Sequence, residues 1–531
     1  MGHLKHASKN YTRDIKFITA AHNYFRKHPS CYTSRMKRLR WYDFISINLF
    51  WLGLNIRNTA VGTFFMPYLV DIYAPADWKN TALSAMRTAG LIIAMLVQPA
   101  AGLVSDRSTS RFGRRRPFIL IGAVLDLVFL AAIGLSWNYW TLLVAVLLIQ
   151  FSSNISHGPL QGLIPDLVPE DQRGRASAIK AIFELLPIVL VGLSIAPLVG
   201  SGHLGWAIIA TGAGLLITAL VTIFWVKEQP LKEKPDIPFW PPMLRVLGML
   251  AGILLGATAG LVGGGLIGGL IGLVTWQFAG KSTGLAVMVG VGGAIAMIIA
   301  VVVGVWAGSW TTIGKEARQH SSFIWWIVNR LLFLAAVTSL QGFALYFLEY
   351  AFKITSQQAT SMTGSLVYTV GIFTLVSAFP AGWLADRMGH KQLILVSGIL
   401  AAVGCALLLG TIWVPNLALV YGSGAIIGIG TGLFMTVNWA MGTALVPAGE
   451  AGRYLGISNL AGAGAGMIGS GIGGPMADYL NLTTPGLGYF AIFAAYVVLF
   501  ALSAVSLRFI TEKKAVATMP EDPTKLALGK P

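Results

Sequence analysis

Fourteen apolar runs, each long enough to cross a lipid bilayer as an α-helix, constrain this chain more than any other feature of its sequence. A helix rises about 1.5 Å per residue, so roughly 20 apolar residues span a hydrocarbon core of about 30 Å. The spacing predicts helices near 44–73, 81–104, 118–136, 140–163, 176–199, 205–226 and 247–276. It predicts seven more near 284–308, 323–350, 361–384, 391–411, 416–445, 454–478 and 488–510. Only 11% of the residues are charged and the mean hydropathy is +0.70, whereas soluble domains carry about 25% charged residues. The expected fold class is therefore an all-α membrane protein rather than a soluble enzyme.

A net charge of +17 raises the question of nucleic-acid binding, and the placement of the cations answers it. All but six of the 38 Lys and Arg residues fall in the two tails or in alternate loops. Lys79, Lys281 and Lys353 break the pattern, and Arg57, Arg87 and Arg330 lie inside helices. This is the positive-inside distribution of a multi-pass protein, with both termini cytoplasmic and no nucleic-acid partner expected. The first 40 residues hold no apolar core of a signal peptide, so the tail is expected to stay in the cytoplasm of a cell bounded by the plasma or bacterial inner membrane. Cys31 and Cys405 lie in unlike environments, and no His or Cys cluster has metal spacing. No Walker loop is present, and neither a metal nor a cofactor is expected.

Two internal echoes organise the chain. GLVSDR at Gly102–Arg107 returns as GWLADR at Gly382–Arg387, and LVPEDQRGR at Leu167–Arg175 returns as LVPAGEAGR at Leu445–Arg453. The two offsets differ by only two residues, which implies two six-helix halves in the same orientation. The expected plan is a basic tail over 1–40, a bundle over 41–226, a linker with an inserted helical hairpin over 227–322, a second bundle over 323–511 and a tail over 512–531. Within the insert, Gly252, Gly256, Gly260, Gly264, Gly268 and Gly272 recur every four residues, and Ala296, Ala300, Gly304 and Gly308 follow the same spacing. Small residues on one face let helices approach closely, so a tight hairpin is expected.

GLVSDR followed by GRRR, and GWLADRMGHK in the second half, resemble the signature loop of the major facilitator superfamily. That resemblance spans nearly the whole chain and implies a transporter of two six-helix bundles with alternating access. It also implies that Asp106, Arg107, Asp386 and Arg387 latch the cytoplasmic side, with Arg114 either joining them or serving as a simple anchor. The longer string LVQPAAGLVSDRSTSRFGRRRPFIL, over 96–120, resembles the sucrose transporters and their glycoside–cation symporter relatives. Asn154, Gly158-Pro159 and Asp166-Leu167 resemble the fourth helix of that group. Gln150 and Gln161 stand where the group carries an Asp and an Arg linked to proton coupling, and an amide cannot titrate. A fourteen-helix plan, together with Gly192, Ala196-Pro197 and Gly200, instead resembles the drug–proton antiporters.

Ionisable residues deep in membrane helices face partners or water-filled cavities. Asp126 and Glu184 are the candidates for carrying a coupling proton, because burial disfavours the charged form of a carboxyl. An ion pair of Asp126 with Arg57 or Arg87, and an i,i+4 pair of Glu184 with Lys180, are the competing structural readings. The superfamily resemblance implies that Asn55, Arg57, Asn58, Gln150, Asn154, His157, Arg330, Gln341, Asn438 and Trp439 line the cavity. Amides and a cation suit hydroxyls, and an indole offers a face to a pyranose ring. The expected function is secondary transport of a small solute, a sugar or glycoside driven by a proton or other cation gradient; the alternative is a proton-driven exporter of amphipathic compounds.

Overall fold

The computed structural model describes residues 38–228, 230–231, 233, 239–314, 321–445 and 451–511, with the side chains of 313, 451–461 and 463 excepted. The two tails beyond residues 38 and 511, and most of the second LVP loop, lie outside the described residues. The described residues form helices, turns and connecting segments with no strand among them.

The first helix runs as α1 (Trp41–Thr59) through a π-helical turn at Ala60–Phe65 into α2 (Met66–Tyr73). It is followed by α3 (Lys79–Asp106), α4 (Arg116–Gly134), α5 (Tyr139–Gln161) and the short α6 (Leu163–Leu167). Next come α7 (Arg173–Gly200), α8 (Leu204–Trp225), α9 (Trp240–Ala279) and α10 (Lys281–Ile313). The chain continues with α11 (Ser321–Phe352), α12 (Ser356–Met388) and α13 (His390–Leu409). It closes with α14 (Leu417–Leu445), α15 (Ala451–Thr483) and α16 (Leu487–Ser506). Among the described residues, twelve helical segments are long and apolar enough to cross a membrane. The α1–α2 helix and the 33-residue α15 are also long enough to span a bilayer. The protein is a multi-pass integral membrane protein. Several helices overrun the apolar runs that predict them, α9 by seven residues at its start, because intrahelical hydrogen bonding does not stop at the hydrocarbon edge.

Packing follows residue size. Helices α1, α3, α4, α5, α7 and α8 pack on one another, and α11 to α16 form a second set. The hairpin of α9 and α10 turns at Gly280, whose φ of 88° suits a glycine. Its glycine face meets α10 so closely that a Cβ at Gly252, Gly256, Gly260, Gly264, Gly268 or Gly272 would overlap the facing backbone or Cβ atoms. The hairpin rests on the second set, where Gly293 meets Met476 of α15 and Gly464 meets Ile253 of α9.

The two sets touch along two seams, α3 with α15 and α7 with α12. On the first, Gly474 meets Asn80 and Ser84, Gly471 meets Thr88 and Gly466 meets Leu91. On the second, Gly192 meets Gly364 and Tyr368, Gly200 meets Gln357 and Ser361, and Gly371 meets Ile188 and Val189. The Gly192–Ala196–Gly200 run thus forms a flat packing surface between the sets. All these contacts lie toward the face where α2 ends and α3 begins. The other face carries Arg107, Arg114–Arg116, Arg173, Arg387 and Lys391 and is called the basic face below. Toward the basic face the helices of the second seam are less enclosed, and Lys180, Phe183 and Glu184 of α7 stay partly accessible.

Candidate functional site

Helical periodicity and burial together locate the polar faces of the helices. In α5 the apolar residues Val144, Leu148 and Phe151 are exposed on one face, where lipid would lie. Gln150, Asn154, His157 and Gln161 recur at intervals of four, three and four residues on a second face, about a third of a turn away. Helix α11 is the most enclosed of the twelve long apolar segments. Its accessible positions include a stripe of Arg330, Leu334, Thr338 and Gln341, again on one helical face.

In the first set, Asn55 Nδ2 donates to the Trp51 carbonyl at 2.8 Å, and Asn154 Nδ2 donates to the Gln150 carbonyl at 2.7 Å. Each amide keeps its oxygen as an acceptor beyond those bonds. Asn58 and Gln150 are half-buried, and Gln150 lies against Gly90, where a larger residue would displace it. His157 sits edge-on to Trp51 with ring centroids 5.1 Å apart and lies 3.4 Å from Gln161 Nε2. Lys180 Nζ stands 4.2 Å over the same Trp51 ring and 2.8 Å from Glu184 Oε1. Glu184 is therefore held by an i,i+4 partner on its own helix.

Asp126 is fully enclosed. Its Oδ2 lies 3.1 Å from Arg57 Nη2, and Ser152 Oγ donates to its Oδ1. Arg57 turns away from the cavity to make this pair, at 1% exposure. Arg87, the other candidate partner for Asp126, instead donates to the carbonyl of Gly62 in the π-helical turn and lies against Gly342 of α11.

The second set brings Arg330, Asn438 and Trp439 together. Arg330 Nη1 donates to Asn438 Oδ1 at 3.2 Å, and its guanidinium lies 5.2 Å from the Trp439 ring. Asn438 is fixed from behind: its Nδ2 donates to Asn329 Oδ1 at 2.8 Å, Asn329 Nδ2 donates to the Ser503 carbonyl at 2.7 Å, and Trp326 Nε1 donates to the Asn438 carbonyl at 2.9 Å. A locked network behind a half-exposed guanidinium and indole makes a rigid wall. Gln341 lies higher on the same stripe, beside an apolar recess lined by Ile188, Leu366 and Phe493.

At the basic face the first signature loop binds its own half and the start of the linker, and the second binds its own helix. Arg115 Nη2 donates to Asp106 Oδ1 at 2.8 Å, both Arg114 and Arg115 pair with Asp166, and Glu228 accepts from the Arg115 and Arg116 amides at 2.8–3.2 Å. Arg107 lies 5.4 Å from the Phe239 ring, Arg387 lies 3.9 Å from the Trp383 ring, and Asp386 is exposed. The periodicity of the chain does not point to Asp166 and Glu228 as the acceptors that hold this loop, since they come from α6 and the segment after α8. A second group missed in the same way lies at the opposite face, where Lys79 meets Asp71 and Glu349, and Asp478 meets Asn80 and Thr81. Its one signal in the sequence is Lys79, a cation on the face that the positive-inside rule leaves poor in cations.

Comparison with known proteins shows the family and the fold. Residues 49–317 match the MFS/sugar transport protein family and residues 326–529 the Major Facilitator Superfamily. Sucrose transport protein SUC3 of Arabidopsis thaliana is 30% identical over 185 residues, covering 28% of this chain and 31% of that protein. Sucrose transport protein SUT1 of Oryza sativa subsp. japonica is 36% identical over 123 residues, covering 19% of this chain and 23% of that protein. The general alpha-glucoside permease of Schizosaccharomyces pombe is 26% identical over 150 residues, covering 25% of this chain and 26% of the permease. The chain thus spans less than a third of the length of these curated relatives. A D-xylose–proton symporter shares the fold at a TM-score of 0.61 and 14% identity, over 90% of this chain and 99% of that one. A POT family transporter in complex with 5-aminolevulinic acid does so at 0.59 and 17%, over 87% and 96%. With more than half of its residues matched by one profile, the chain belongs to the MFS/sugar transport protein family of the major facilitator superfamily.

Proposed function

We propose that this protein is a secondary active transporter that carries a sugar or glycoside across a membrane by alternating access, coupled to a gradient of protons or another cation. The observation that carries the reading is a pair of polar clusters, the amide-rich stripe of α5 in the first set and the Arg330–Trp439 pair of α11 and α14 in the second. Asn55, Asn58, Gln150, Asn154 and His157 on one side, and Arg330, Gln341 and Trp439 on the other, supply donors and acceptors for hydroxyls and an aromatic face for a ring. Asn438 acts by orienting Arg330, and Arg57 by holding Asp126. On this reading 41–226 and 323–511 are the two moving bundles, the basic face is cytoplasmic, and the described state is open to the inside. Asp106, Arg107, Arg114, Asp386 and Arg387 then sit where a cytoplasmic latch would form in the alternate state.

The relatives named as sucrose transport proteins and as an alpha-glucoside permease support a sugar over an amphipathic drug. The fourteen-helix plan that favoured an exporter comes from the inserted hairpin, which packs away from the polar clusters and has little weight on substrate. Purified protein in liposomes tests the reading. Radiolabelled sucrose or maltose should accumulate when an inward proton gradient is imposed and should stop when the gradient is collapsed. Extrusion of a cationic dye with no sugar uptake would overturn it.

A further inference from the structure

The first turn of any helix leaves backbone N–H groups without intrahelical acceptors. In α3 the residue before the helix, Trp78, supplies no side-chain bond to them. The acceptor comes from the other set of helices. Asp478 of α15 takes the Asn80 Nδ2 donor at 2.7 Å and the Asn80 amide at 3.3 Å on Oδ1, and the Thr81 amide at 2.7 Å on Oδ2. Gly474, one turn earlier on α15, lies against the Asn80 carbonyl and Ser84, and any larger residue there would hold the helices apart. Lys79 is gripped alongside, with Nζ 2.7 Å from Asp71 Oδ1 and 2.6 Å from Glu349 Oε2.

Asp478 and Glu349 belong to the second set, and Asn80, Thr81 and Lys79 to the first, so these bonds cross the seam. A carboxylate at a helix N-terminus gains from the macrodipole as well as from charge-assisted hydrogen bonds. Asp126 and Glu184, by contrast, are paired inside one set and experience no change when the sets rock against each other.

We propose that Asp478 is the positioning residue that holds the cavity shut at the face opposite the basic one: an acid from one half caps a helix of the other, and each transport cycle requires this cap to break and re-form. The inference rests on the alternating-access reading but not on the identity of the solute.

The test uses two cysteine reporters in the full chain with Cys31 and Cys405 replaced by serine. Ile188→Cys lies in the seam between the sets, and Thr338→Cys is an exposed position on the polar stripe of α11. Reaction with a membrane-impermeant maleimide is measured from each side in liposomes without solute. Asp478→Ala should speed labelling at 188 from the opposite face about tenfold and slow labelling at 338 from the basic face, because one conformational equilibrium moves. Asp478→Glu should restore part of the wild-type rates. Asn80→Ala, which removes one of the three bonds, should act in the same direction by about threefold. Faster labelling at both positions would mean general loosening and would overturn the proposal, as would unchanged labelling at both. If Asp478→Ala does not fold, Asn80→Ala decides on the same criteria. Failure of sugar uptake in an otherwise responsive protein would overturn the sugar reading and leave the cap intact.

Discussion

Removing the carboxylate of Asp126 should destabilise the protein without uncoupling it. The Arg57–Asp126 pair is almost wholly enclosed, with an N–O separation of 3.1 Å. At an effective dielectric of about 20, two unit charges at that distance attract by about 5 kcal/mol, which must offset the desolvation of both. Asp126→Asn removes that attraction and leaves Arg57 charged and buried, with Ser152 as the partner left to residue 126. A loss of about 3–5 kcal/mol is expected, the usual result of breaking a buried pair from one side. Arg57→Leu should cost a similar amount. The double substitution Arg57→Leu with Asp126→Leu should recover most of the loss, because no uncompensated charge remains. Reversible unfolding in mixed SDS and lipid micelles measures each step of this cycle, and proton-driven uptake in liposomes measures coupling in the folded fraction. A strongly non-additive cycle is expected, with coupling retained in the double variant. An Asp126→Asn protein of normal stability that moves sugar but no longer concentrates it against a proton gradient would refute it and make Asp126 the proton carrier.

Two further outcomes follow from the packing. Gly256→Leu should separate the α9–α10 hairpin and lower thermal stability in detergent, since any Cβ there overlaps the Gly304 and Ala300 backbone. Gly265→Ala, with open space around it, should be neutral or stabilise by up to about 1 kcal/mol. Asp106→Asn removes the charge from the 2.8 Å contact to Arg115 but leaves Asp166 on that arginine, so expression should hold while transport falls; equal losses in membrane yield and uptake would assign the residue to folding.

Much of the architecture is legible in one dimension because a bilayer imposes local rules. Every segment that crosses lipid must satisfy its own backbone, so length and hydropathy reveal the crossings, and the small residues of the α9–α10 hairpin reveal their packing face through a four-residue period. The pairing of Glu184 with Lys180 is similarly readable, since both lie on one helix one turn apart. For Asp126 the sequence offers two arginines at comparable depth, and only the rotation of α1 and α3 decides that Arg57 meets it while Arg87 turns to Gly62.

The sequence by itself determined the membrane class, the helical crossings, the repeat of two signature loops and the polar stripes at helical spacing. Tertiary structure alone decided which polar residues meet across helices, that Arg114 and Arg115 of the first signature loop close on Asp166 while Glu228 of the linker takes the loop's amides, and that Asp478 caps α3 from the other set. The physical reason is range. Hydrophobic burial and backbone satisfaction act residue by residue along a helix, whereas an ion pair or cap between residues 398 positions apart depends on the rotation, tilt and depth of two helices, which no local pattern encodes.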